Sequence, residues 1–235
     1  MYTFESIVRY SEIDEYGKMT VPAVLETLQD CCTFQSEHLG LGLAWLKEHH
    51  RAWVLSSWQV VFVRFPQMGE RIATSTWAYD FKNFFGYRNF KIEDEAGHVI
   101  VYANSVWAYL DTESGRPVRI PQEVAERYSL EEPFPMEHAP RKLKCPENMQ
   151  AGELIRVGHF FIDTNRHVNN SKYVMMAEEY LPEKANVREL RVEYKKAAVL
   201  MDEIYPGHLE EDGKVFVSME DKDGKPYAVA EFLLD

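Results

Sequence analysis

The chain has 235 residues, 46% of them hydrophobic and 27% charged, enough for one large domain or two small ones. Its net charge of −12 argues against wholesale nucleic-acid binding. Its three cysteines, Cys31, Cys32 and Cys145, fit neither a secreted disulfide framework nor metal-site spacing. The opening MYTFESIVRYSEID holds no apolar run suited to a signal peptide, and no stretch approaches ~20 uninterrupted apolar residues. No membrane insertion and a cytoplasmic location are therefore expected.

Thr20 and Pro22 mark a helix start and Gly40 its end, with Val24, Leu28, Cys31 and Gln35 as a mostly apolar stripe. Four strand-like runs follow, rich in Val, Ile, Trp and Tyr: AWVLSSWQVVFVRF, ERIATSTWAYDF, YRNFKIEDE and HVIVYANSVWAYLD. The stretch 131–153 is rich in proline and charge and reads as a linker. Beyond it, Asn170 is placed to cap a helix through Tyr173, Val174, Met176, Ala177 and Tyr180, stopped by Pro182. Four more strands are expected, at ELRVEYKKA, EIYPGHLEE, KVFVSMED and PYAVAEFLL. The organisation expected is 1–130, a linker at 131–153, and 154–235.

The two parts resemble each other in matching order. IDEYGKMTVPAVL from Ile13 matches IDTNRHVNNSKYV from Ile162, and VVFVRFPQMGERI from Val60 matches VEYKKAAVLMDEI from Val192. IEDEAGHVIVYA from Ile92 matches MEDKDGKPYAVA from Met219. A duplicated unit of one helix followed by antiparallel strands is the reading: an α+β fold in which each helix buries its apolar stripe against its sheet. Such a chain would be a monomeric pseudo-dimer or form a homodimer.

IDTNRHVNNSKYV places Asp163, Asn165 and His167 at alternate positions before a helix start. A polar turn capping a helix would account for these letters by itself. The matching place in the first part keeps Asp14 but has Tyr16 and Lys18 in place of Asn165 and His167.

DTNRHVNNSKYV, WQVVFVRFPQMGERI, SVWAYLDTESGRPVRIPQEV and VEYKKAAVL resemble the acyl-acyl carrier protein thioesterases, enzymes with two tandem hotdog domains. The resemblance runs from about Phe4 to the end. It implies hydrolysis of a fatty acyl thioester on acyl carrier protein, with no metal or organic cofactor. Acyl-coenzyme A thioesterase, a non-catalytic acyl-binding hotdog protein and, more weakly, a hotdog dehydratase are the rival readings.

Under this resemblance His167 is the general base, since histidine titrates near neutral pH. Asp163 orients the imidazole, contacts the water or attacks the carbonyl, and Asn165 positions a water or the carbonyl. The backbone N–H groups near Asn169 and Asn170, at the positive end of a helix, hold the oxyanion. The first part would shape the acyl pocket, with Trp45, Trp53, Trp58 and Met68 as candidates for setting its depth. Plant members carry a Glu-Cys pair on the late strand where this chain has Ala197 and Ala198, so a cysteine nucleophile is not expected there. The acidic carrier needs a local basic surface. Candidates are Arg188, Arg191, Lys195 and Lys196, with Arg141, Lys142 and Lys144 in the linker.

Overall fold

The structure is a computed structural model that describes all 235 residues. In chain order the elements are β1 Tyr2–Ile7, α1 Val21–His38, α2 Leu43–Glu48, β2 Arg51–Phe62, β3 Arg71–Lys82, β4 Phe85–Glu93, β5 Val99–Asp111, β6 Arg116–Pro117 and α3 Gln122–Arg127. They continue with β7 Gln150–Ala151, β8 Ile155–Arg156, α4 Asn170–Glu178, β9 Val187–Tyr194, β10 Glu203–Glu211, β11 Lys214–Glu220 and β12 Pro226–Leu234. Single 3₁₀ turns at Tyr10–Glu12 and His159–Phe161 precede α1 and α4. Two compact units result. One holds Met1–Ser56 and Phe62–His138, the other Ser57–Val61 and Ala139–Asp235.

In the first unit the strands run β1-β3-β4-β5 with β2 beside β5, and the pairings of β1, β3, β4 and β5 are antiparallel. The long helix α1 lies against β1 and β3. It starts where Thr20 Oγ1 accepts the Ala23 N–H at 3.3 Å, with Pro22 in the first turn, where a missing N–H costs nothing. It ends before Gly40, which takes the left-handed φ of +69°. Val24, Leu28, Cys31 and Gln35 are all buried, as their spacing predicts. Burying each Val or Leu stabilises the unit by roughly 1.5–3 kcal/mol. The strand β1 and the one-turn helices α2 and α3 are too short for periodicity to reveal in sequence.

A charge sits inside this unit. Arg88 is 8% exposed and donates to Gln35 Oε1 and to Thr76 Oγ1, with its guanidinium 5.3 Å from the centre of the Tyr128 ring. No carboxylate pairs with it. Of the expected pocket residues, Trp45 and Trp53 pack half-buried against Leu41, Tyr109 and Tyr128. Met68 is 56% exposed on a surface turn, away from that core. Trp58 is buried, on the segment of β2 that belongs to the second unit.

In the second unit, Ser57–Val61 of β2 is followed by β9-β12-β11-β10-β7, again antiparallel. Helix α4 packs on β11 and β12 through Tyr173, Val174, Met176 and Ala177. Nine residues form a marginal helix alone, so this packing holds it. Its cap is Asn169, not the expected Asn170. Asn169 has extended backbone and its Oδ1 accepts the Ser171 N–H at 3.0 Å, while Asn170 is already helical. The helix also stops at Glu178, before Tyr180.

The proline-rich stretch is bonded to strand side chains. In the first unit Trp77 Nε1 donates to the Glu132 carbonyl (2.9 Å) and the Phe134 N–H to Asn89 Oδ1 (3.0 Å). In the second, the Ala139 N–H donates to Gln59 Oε1 and the Leu143 N–H to Glu193 Oε2, both at 2.9 Å. No helix is long and apolar enough to cross a membrane.

Candidate active site

The motif Asp163–His167 is a tight turn built around one carboxylate oxygen. Asp163 Oδ1 accepts the N–H of Asn165 (2.8 Å) and of His167 (3.1 Å). The Asp163 N–H donates to the His167 carbonyl at 2.8 Å, and the Arg166 N–H to the Asp163 carbonyl at 3.1 Å. The backbone is thereby satisfied locally, as an aspartate turn allows. Ile162 and Val168 pair across its base. Asn165, Arg166 and His167 are exposed, and Asp163 is half-buried.

The same turn occurs at three other places in the chain. Asp14 Oδ1 accepts from the N–H of Tyr16 and Lys18, Asp94 Oδ1 from Ala96 and His98, and Asp221 Oδ1 from Asp223 and Lys225. Each has the matching pair of backbone bonds. The fourth residue is left-handed every time: Gly17 at +77°, Gly97 at +81°, Gly224 at +71°, and Arg166 at +63°. Three glycines take that conformation without steric cost, whereas an arginine there costs about 1–2 kcal/mol.

His167 pairs through its backbone with Val199, as Lys18 does with Gln67 in the first unit. The turn that follows Val199 is also duplicated. The Val199 N–H donates to Asp202 Oδ2 and the Met201 N–H to the Val157 carbonyl, both at 2.9 Å. In the first unit the Gln67 N–H donates to Glu70 Oε2 (2.8 Å) and the Gly69 N–H to the Val8 carbonyl (3.0 Å). Here too the left-handed corner holds glycine in the first unit and a larger residue in the second, Gly69 with φ +79° and Met201 with φ +73°. Val199, Leu200 and Met201 are all exposed, Met201 by 65%.

Residues 1–128 match the acyl-ACP thioesterase N-terminal domain and residues 146–220 the acyl-ACP thioesterase C-terminal domain. The chain belongs to the acyl-ACP thioesterase family. It is 28% identical over 209 residues to a chloroplastic palmitoyl-acyl carrier protein thioesterase of Cuphea hookeriana, a match covering 80% of this chain and 50% of that protein. The chain spans about half or less of the length of the first curated relatives it matches. Its fold follows an acyl-ACP thioesterase from Bacteroides thetaiotaomicron with a TM-score of 0.91 at 24% identity, over 99% of this chain and 97% of that one. It also follows the 12:0-ACP thioesterase of Umbellularia californica, with a TM-score of 0.87 at 18% identity, over 100% and 96%. Each unit is thus a hotdog, and the α+β reading of the sequence holds.

In this family member, the expected site residues share one turn and one helix start, but they are not all wired as expected. The imidazole of His167 makes no hydrogen bond or ion pair with Asp163. The carboxylate is bonded to the backbone instead. Of the two expected oxyanion donors, the Asn169 N–H is taken by the Phe161 carbonyl at 2.9 Å. The Asn170 N–H, at the first position of α4, has no partner in the chain and lies where the helix dipole is positive. The Asn170 carbonyl is anchored by the Tyr194 hydroxyl at 3.0 Å.

Ala197 is exposed and Ala198 buried, and neither brings a reactive side chain. Ala198 braces the site by its backbone. Its carbonyl accepts the Val168 N–H at 2.9 Å and its N–H donates to the Tyr173 hydroxyl at 2.8 Å. Burial pushes the Tyr173 hydroxyl pKa up, so it stays protonated and serves as a fixed acceptor.

Three of the four expected carrier-binding cations are already engaged. Arg191 pairs with Glu231 (2.8 Å), Lys195 with Glu193 (2.9 Å), and Lys196 with Asp221. The Lys196 hydrogen bond is the main cause holding the Asp221 carboxyl down at about 2. Arg188 is exposed and makes no ion pair. Sequence reading passed over Arg166. The signal was present, because D-x-x-G-x occurs at Asp14, Asp94 and Asp221 and only the Asp163 copy lacks the glycine.

Proposed function

We propose that the chain hydrolyses the thioester of fatty acyl-acyl carrier protein, releasing the free fatty acid and ending chain extension. The observation that carries this reading is the asymmetry of the duplicated turn within a member of this family. Both units fold it the same way, yet only the second arms it with Asn165 and His167. A turn needed for shape alone would have no use for the difference.

In the proposed reaction His167 accepts a proton from a water molecule whose oxygen bonds to the thioester carbon. Charge develops on the carbonyl oxygen. The Asn170 N–H and the positive end of α4 lie ready to hold it. The tetrahedral species collapses, the C–S bond breaks, and the proton returns from His167 to the departing thiolate. The Asn165 amide orients the water or the carbonyl. Asp163 holds His167 and Asn165 in register through their backbone. Residues 1–130 shape the acyl pocket, and residues 154–235 carry the chemistry.

Thiol release from acyl carriers of equal chain length tests the reading. Release from acyl-acyl carrier protein, faster than from acyl-coenzyme A, is expected. A properly folded chain that releases no thiol from either carrier would overturn it.

A further inference from the structure

We infer that Arg166 grips the phosphate of the phosphopantetheine arm on which the acyl group arrives. This rests on the thioesterase reading and adds a binding residue to it. Arg166 stands between Asn165 and His167 in the site turn and is exposed. Its guanidinium has no ion pair and no hydrogen bond, although the chain carries 38 acidic against 26 basic residues. The expected carrier-binding cations Arg191, Lys195 and Lys196 are held by carboxylates, so they are poorly placed to attract an anion.

The backbone supplies the second argument. In the three sister turns the equivalent residue is Gly17, Gly97 or Gly224, each left-handed. A Cβ added at Gly17 or Gly97 would meet nothing within 4 Å, so a side chain at this corner projects into open space without contributing to packing. An arginine at this left-handed corner, with no partner in the chain, is accounted for by a partner outside it. The facing turn shows the same exchange, with exposed Met201 where the first unit has Gly69.

On this reading the arm that delivers a thioester to His167 runs past these residues. Its single strong charge is a phosphate, which a guanidinium binds with paired, charge-assisted hydrogen bonds. Its amide and dimethyl body suits the thioether of Met201 and the side chains of Val199 and Leu200.

The test measures binding by titration calorimetry, independently of turnover, with a non-hydrolysable S-alkyl phosphopantetheine and its dephosphorylated S-alkyl pantetheine. The wild-type chain should bind the phosphorylated probe roughly tenfold more tightly. Arg166→Gly, which relieves the left-handed strain and so folds, should abolish that preference, and Arg166→Lys should keep part of it. The proposal is overturned if the wild type shows no preference, or if Arg166→Gly retains it. A carboxylate on the carrier protein as the true partner would leave the two small probes equal and weaken only acyl-acyl carrier protein. Thiol release by the same wild-type preparation tests the thioesterase reading separately.

Discussion

Asp163 and His167 are joined through the backbone. Asp163 Oδ1 accepts the His167 N–H at 3.1 Å, and the His167 carbonyl accepts the Asp163 N–H at 2.8 Å. Asp14 and Lys18 make the same two bonds in the first unit, where a lysine stands at the histidine's place. The aspartate therefore has a structural duty that does not depend on chemistry. Asp163→Ala and Asp14→Ala should each destabilise the chain by on the order of 1–2 kcal/mol, from the lost charge-assisted bonds. Only Asp163→Ala should also lower turnover strongly. Denaturant midpoints read beside turnover check both halves, and equal turnover losses in the two variants would remove the distinction between the turns.

His167→Ala should lower kcat by about 10²–10⁴-fold, the range that general-base catalysis supplies. The fold should be retained, because the ring is exposed and the backbone bonds of the turn do not need it. Circular dichroism with steady-state kinetics decides this. Full turnover in a folded variant would move the base elsewhere.

No thiol should be essential. Burial, the largest cause, pushes Cys31 far up and Cys32 up to about 11, and it also raises Cys145. A raised thiol pKa keeps the neutral form up to higher pH, so little thiolate is present at pH 8. Cys145 is exposed and the others are buried, so iodoacetamide at pH 8 should label Cys145 slowly and leave Cys31 and Cys32 intact. Turnover should survive the treatment. Mass spectrometry of the labelled chain, with activity measured on the same sample, reads both outcomes.

Arg88 and Gln35 form a buried pair with one formal charge and no carboxylate. Gln35→Leu leaves the buried guanidinium with Thr76 Oγ1 as its remaining side-chain acceptor and, because the donor is charged, should cost about 3 kcal/mol. Arg88→Met removes the charge and strands only a neutral amide oxygen, at about 1–3 kcal/mol. The double variant should be more stable than Gln35→Leu alone. A double-mutant cycle in urea would refute this ordering if Arg88→Met proved the more damaging single change.

Arg166→Gly should stabilise the chain by roughly 1 kcal/mol, since only glycine takes φ near +63° freely. A higher thermal midpoint with weaker binding of the phosphorylated probe is the joint result expected. A lower midpoint would show that the arginine side chain packs on the chain after all.

The sequence by itself determined the local shapes and the kinship. The helix from Thr20 to Gly40, most of the long strands, the duplicated turns and the family signature all follow from neighbours a few residues apart. Periodicity, caps and turn residues act over that range. Only the tertiary structure decided which groups were already occupied. Arg191 and Lys196 look like free cations in sequence, yet the fold brings Glu231 and Asp221 against them, whereas the pairing of Lys195 with Glu193 lies only two residues apart along the chain. The Asn169 N–H looks like an oxyanion donor until the preceding 3₁₀ turn folds back and presents the Phe161 carbonyl. Arg88 gives no sign in sequence that it is buried beside Gln35, 53 residues away. A hydrogen bond or an ion pair depends on distances of a few ångströms between residues far apart in the chain. Such distances are set when the sheets assemble, and no local pattern of letters encodes them.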